Sequence, residues 1–133
     1  MNPPIQATNP VEVLERALDL LSDPAKWTKS AMAKDAIGKS VQPYEPAAAC
    51  FCMMGAMERG ARGILENHQI RDYYANATAL NAEVEAQRMV SHILYDRRGI
   101  FSIPGFNDHS DTTHDEVVSI MTEALAKARE AVA

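Results

Sequence analysis

Apolar residues recur at helical spacing in three stretches of the chain. Leu14, Ala17, Leu18 and Leu21 follow the i, i+3, i+4, i+7 spacing of one helix face. Ahead of them, Asn9-Pro10-Val11-Glu12 supplies an N-cap, a proline at the first helical position and an acid at N3. A helix is therefore predicted from Pro10 to about Leu21, ended by Ser22-Asp23-Pro24. Ala82, Ala86, Met89, Val90, Ile93 and Leu94 mark a second helix, capped by Thr78 or Asn76. It ends near Arg97-Arg98-Gly99, with cations at the negative helix end and glycine just beyond. Val117, Ile120, Met121, Ala124 and Ala128 mark a third. Thr113 and Glu116 before it have capping-box spacing, in which the hydroxyl accepts from the Glu116 N–H and the Glu116 side chain reaches back to Thr113.

Between these stretches the pattern changes character. From Pro46 to Met57 the chain is apolar nearly all round, which predicts a buried central helix over 46–62 that carries both cysteines. Ala31-Met32-Ala33-Lys34 and Lys39-Ser40-Val41-Gln42 flank Asp35-Ala36-Ile37-Gly38, a tight-turn sequence, and predict a small β-hairpin near 30–42. Asp23-Pro24-Ala25-Lys26-Trp27 predicts a single turn beginning at Pro24, with the lone Trp27 as a core plug behind the first helix. Leu65 to Asn76, with His68, Tyr73 and Tyr74, is polar and irregular. Ile100 to Pro104 reads as an extended connector into the loop that begins at Phe106. The fold expected is mostly α: one domain over 9–133, about four helices around the central one, after a flexible lead at 1–8.

Composition narrows the function classes. The 133 residues include 47% apolar and 23% charged side chains, which suits a soluble domain large enough for a real core. No apolar run reaches the roughly 18 residues that suggest a membrane span. The start, Met1-Asn2-Pro3-Pro4, has neither the basic residues nor the apolar core of a secretory signal, so a cytoplasmic protein with no membrane partner is expected. A net charge of −5 argues against nucleic acid as a partner, since Lys and Arg supply most of that affinity. Cys50 and Cys52, two residues apart on a helix, would diverge by about 200°. That disfavours both a shared metal and a disulfide, and the two are expected as reduced thiols.

Candidate chemistry gathers in Phe106-Asn107-Asp108-His109-Ser110-Asp111-Thr112-Thr113-His114. A Cys–His hydrolase would use Cys50 or Cys52 with His114 and Asp108. A thiol inside an apolar helix, however, has its pKa raised rather than lowered. A metal site would draw on Asp108, His109, Asp111 and His114, although no HExxH or paired-Cys spacing supports one. As turn formers, Asn107, Asp108 and Asp111 also have purely structural work available. His114, just after the Thr113 cap, would point back toward Asp108 and clasp the loop to the last helix.

Several motifs then line up in one order: Asp23-Pro24-Ala25-Lys26-Trp27 after the first helix, Ala31 to Asp35 with Gly38, Phe51-Cys52 with Gly55-Ala56, and Phe106-Asn107-Asp108 with Thr113-His114 and Val117. In this the chain resembles a family of small uncharacterised proteins of bacteria and their phages, over about Asn9 to Ala128. The resemblance implies a bacterial or phage cytoplasmic origin. It marks Trp27, Cys52, Asn107, Asp108 and His114 and implies no activity or cofactor. The function expected is a non-enzymatic binding or accessory protein that holds a host protein or small molecule through Trp27, Asn107, Asp108 and His114, and that forms a homo-oligomer through a helix face.

Overall fold

The computed structural model describes residues 6–66, 69–70, 73 and 77–132. The first helix, α1 (Pro10–Leu21), starts as its sequence demands: the Asn9 side chain accepts from the Glu12 N–H at 3.0 Å, and Pro10 needs no donor partner there. Glu12 turns back one residue further than a capping box, to accept from the Thr8 N–H at 3.0 Å and from the Thr8 hydroxyl. Those bonds hold its carboxyl below the usual range. Val13, Leu14, Ala17 and Leu21 are buried, and a single 3₁₀ turn follows at Pro24–Lys26.

Trp27 leads into a three-stranded antiparallel sheet of order β2-β1-β3: β1 (Ala33–Lys34), β2 (Ser40–Val41) and β3 (Cys50–Phe51). Ala33 pairs with Val41 on one side and with Phe51 on the other. The expected hairpin is therefore present, and its turn is built as the sequence suggests. The Asp35 carboxylate accepts from the Ile37 and Lys39 N–H groups at 3.0 and 2.9 Å, and Gly38 takes φ 85°.

The central helix is shorter than expected. Helix α2 spans Met53–Arg62, not 46–62, because Cys50 and Phe51 belong to β3 and Cys52 is the N-cap. A run that is apolar on every side cannot separate a buried strand from a buried helix. Here the strand wins, since the Ala49 and Cys52 N–H groups reach the Lys34 and Met32 carbonyls at 2.8 and 3.1 Å. The two cysteines therefore do not diverge around a helix, and both are free. Helix α2 packs most extensively on α1. It also passes so close to the sheet that a Cβ on Gly55 would lie 1.8 Å from the Met32 carbonyl oxygen.

Helix α3 (Ala77–Arg98) and helix α5 (His114–Val132) close the core over α1 and α2. Thr78 lies inside α3 rather than capping it, and His68, Tyr74 and Asn76 lie outside the described residues. Between α3 and α5, the expected extended connector is instead a helix, α4 (Ile103–Asp108). The Ser102 hydroxyl caps it by accepting from the Gly105 N–H at 2.9 Å, and Pro104 sits in its first turn. Half of the predicted capping box forms at α5: Thr113 Oγ1 accepts from Glu116 N at 3.2 Å, while the Glu116 carboxylate pairs with Arg98 instead of reaching back.

The chain is thus mostly helical, with one hydrophobic core shared by all five described α-helices and the sheet. Beside it a buried ionic cluster holds Arg62 between Glu58 at 3.0 Å and Glu83 at 3.2 Å, with the Tyr73 hydroxyl donating to Glu83 at 2.7 Å.

The Gly55 notch gives a direct test. Gly55→Ala adds a carbon that meets backbone, not a flexible side-chain end, so the loss should be about 2–3 kcal/mol or more, against a helix-propensity gain of about 1. Urea unfolding should show it. An unchanged midpoint would mean that the sheet does not sit on α2 as described.

Candidate functional site

The short helix α4 delivers Asn107 to the junction of the Trp27 segment, the N-terminus of α2 and the start of α5. Ile103 and Phe106 bury one face of α4 and carry Asn107 inward until it is fully buried. Its Oδ1 accepts from the Trp27 indole N–H at 2.8 Å and from the Met53 backbone N–H at 3.0 Å. Its Nδ2 donates to the Thr28 carbonyl and to Asp108 Oδ1, both at 3.0 Å. All four hydrogen bonds that an amide side chain can readily make are therefore formed. Met53 is the first residue of α2, so one of the helix's orphan donors is satisfied from a different part of the chain.

Cys52 satisfies another. As N-cap its sulfur accepts from the Gly55 N–H at 3.2 Å, in the place where a hydroxyl or amide usually serves, and it lies 3.9 Å from the Met32 sulfur. A helix N-terminus ordinarily lowers a thiol pKa. In Cys52 burial dominates and pushes it up; the Gly55 and Met54 N–H groups oppose this, and the Asp108 carboxylate adds to it.

The remaining residues tie down the surrounding loops. Asp108 Oδ1 also accepts from the Ser30 N–H at 2.8 Å, which holds Ser30 at φ 67°. Lys29 donates to the carbonyls of His109 at 2.6 Å and Thr112 at 3.1 Å, and lies 5.3 Å from the centre of the Trp27 ring. Thr112 is buried and donates to the Phe106 carbonyl at 2.6 Å.

His114 does not clasp Asp108. Its Nε2 lies 2.6 Å from the Leu21 carbonyl oxygen, and its ring is tilted by 49° to Trp27 at 6.0 Å. A carbonyl only accepts, so Nε2 carries the proton and donates. The side chain of α5's first residue thus closes the C-terminus of α1, where unpaired carbonyls face out.

The structure therefore brings Trp27, Cys52, Asn107, Asp108 and His114 to one junction, but not as a reactive set. The Cys–His arrangement fails because His114 is turned to Leu21, Cys52 is an N-cap acceptor, and the Cys50 sulfur faces the Lys34 carbonyl at 3.8 Å. The metal arrangement is not assembled: His109 Nδ1 accepts from the Asp111 N–H at 3.1 Å, and His114 Nε2 is turned to the Leu21 carbonyl. Among the described residues, no three His, Cys, Asp or Glu side chains converge as metal ligands. Trp27, expected as a core plug, is half-buried, with its N–H turned inward. Lys29, Ser30 and Thr112 were not legible as members of the junction. A lysine after a tryptophan and a threonine in a polar loop carry no pattern that distinguishes them from surface residues.

Fold and junction together define a small, mostly helical protein whose motif residues are consumed in joining its elements. The chain belongs to DUF6197, a family of unknown function whose model matches residues 6–127. Comparison with the curated proteins and with the solved structures gave no match.

Removing the amide should be costly. Asn107→Ala leaves the Trp27 and Met53 donors and the Thr28 acceptor unsatisfied in a buried site, for a loss on the order of 3 kcal/mol or more. His114→Ala should cost about 1 kcal/mol, the scale of one net hydrogen bond at a half-buried position. Denaturant midpoints of both variants check the ranking. Equal, negligible losses would remove the junction's structural role.

Proposed function

We propose that this is a non-enzymatic binding or accessory protein, cytoplasmic and of bacterial or phage origin, which acts by holding a host protein or small molecule. The observation that carries the reading is that Asn107, His114 and Cys52 are each held by bonds within the fold. The Asn107 amide makes all four of its bonds inside the chain, His114 Nε2 is held by the Leu21 carbonyl, and the Cys52 sulfur caps α2. Trp27, Asn107, Asp108 and His114 then contribute to binding by fixing the fold, not by touching a ligand. No described helix is long and apolar enough to cross a membrane.

The contact surface fits best on the outer side of α3, away from the junction. There Tyr95 and Phe101 stack at 4.3 Å with planes 16° apart, while remaining 49% and 69% exposed. Aromatic residues left in water as a pair are characteristic of recognition surfaces.

Thiol chemistry discriminates this reading from a hydrolase. In the native protein at neutral pH, Cys52 should alkylate at least ~100-fold more slowly than free cysteine, because its burial and raised pKa leave little accessible thiolate. Mass spectrometry of iodoacetamide-treated protein, with and without denaturant, measures it. Rapid native labelling of Cys52 would overturn the non-enzymatic reading.

A further inference from the structure

Arg88, His92 and Asp96 stand four residues apart on α3, exposed, and form a single ridge along the helix. A groove runs along each side of it. One, of about 400 Å³, separates the ridge from the row Glu85, Met89 and Ile93 and reaches Lys127 of α5. The other, of about 550 Å³, separates it from Ser91 and Tyr95 and is bounded by Phe101. A ridge of four-residue spacing flanked by grooves is the surface that another such ridge packs against.

We infer that this face is covered by a second copy of the chain, with the two α3 helices antiparallel across a two-fold axis near His92. The inference rests on the binding-protein reading in taking this face as a recognition surface. It assigns the face to a second copy, so that a host protein or small molecule meets the dimer elsewhere. Charge order is the main argument. Arg88 lies four residues before His92 and Asp96 four after, so an antiparallel copy sets each Arg88 level with Asp96 of the other, twice over. A parallel copy would set like charge against like. Such sign reversal about a centre is what an isologous contact needs, because the same patch must be complementary to itself.

The apolar residues obey the same order. Val84, 43% exposed, precedes His92 by eight residues, and Phe101 follows it by nine. Antiparallel packing brings Val84 of one copy beside the Tyr95–Phe101 stack of the other, at both ends of the contact. Within its own chain Arg88 pairs with Glu85 at 3.1 Å, both side chains well exposed. A surface pair of that kind contributes little and exchanges readily for an interchain one.

Sedimentation equilibrium of the full chain tests this, with circular dichroism confirming that each variant is folded. The wild type should have a dimer mass. Arg88→Asp and Asp96→Arg should each raise the dissociation constant about 100-fold, and the double charge swap should recover to within about 10-fold of wild type. Phe101→Ser should weaken the dimer with no rescue by the swap. A monomer at every concentration, or a dimer indifferent to Arg88→Asp and Phe101→Ser, overturns the inference. If such a monomer still protects Cys52 from alkylation, only the dimer is lost and the binding-protein reading stands.

Discussion

One buried amide holds the parts of this protein in register. Among the described residues, Asn107 is the only side chain that bonds the Trp27 segment, the first turn of α2 and its own helix α4 at once. Its partners are two N–H donors, a carbonyl and the Asp108 carboxylate around a fully buried amide, so the geometry is strongly specified. A shorter side chain leaves groups unpaired, and a charged one loses the donor to Thr28. The hydrophobic core supplies most of the favourable free energy, but it would tolerate small slips of α4 against α2. Directional bonds do not, and the junction therefore fixes which arrangement of helices is the native one.

Short-range signals in the sequence were legible, and long-range ones were not. The cap at Asn9, the turn at Asp35 to Gly38 and the Thr113 cap are each decided within four residues, and each is found. The start of α2 is decided by Met32 and Lys34, far off in the chain, which pair with the residues before Met53 and keep them extended. Helix α4 is only six residues long, too short for an apolar stripe to announce it. The motif residues could be nominated as a group, but their roles could not. His114 was expected to face Asp108, its neighbour in sequence, whereas the acceptor that claims it lies 93 residues away.

The buried ionic cluster shows a different constraint. Two carboxylates, Glu58 and Glu83, share the Arg62 guanidinium, and the cation lies over the Tyr73 ring at 4.7 Å. Burial raises the Glu58 carboxyl above its ordinary value, and the charge of Arg62 draws it back down. With the Asn107 junction at one end of α2 and this cluster at the other, the central helix is pinned by polar contacts at both ends and by apolar packing between them.

The position of the single tryptophan has a kinetic consequence. Trp27 and Asn107 are 80 residues apart, and their bond closes a loop that takes in most of the chain. Contacts of such separation form late, after local helices and turns have shortened the distance to be spanned. The indole N–H is therefore a reporter of long-range closure. The intrinsic fluorescence of this protein should follow the closing of a long loop, whereas far-ultraviolet dichroism follows its helices.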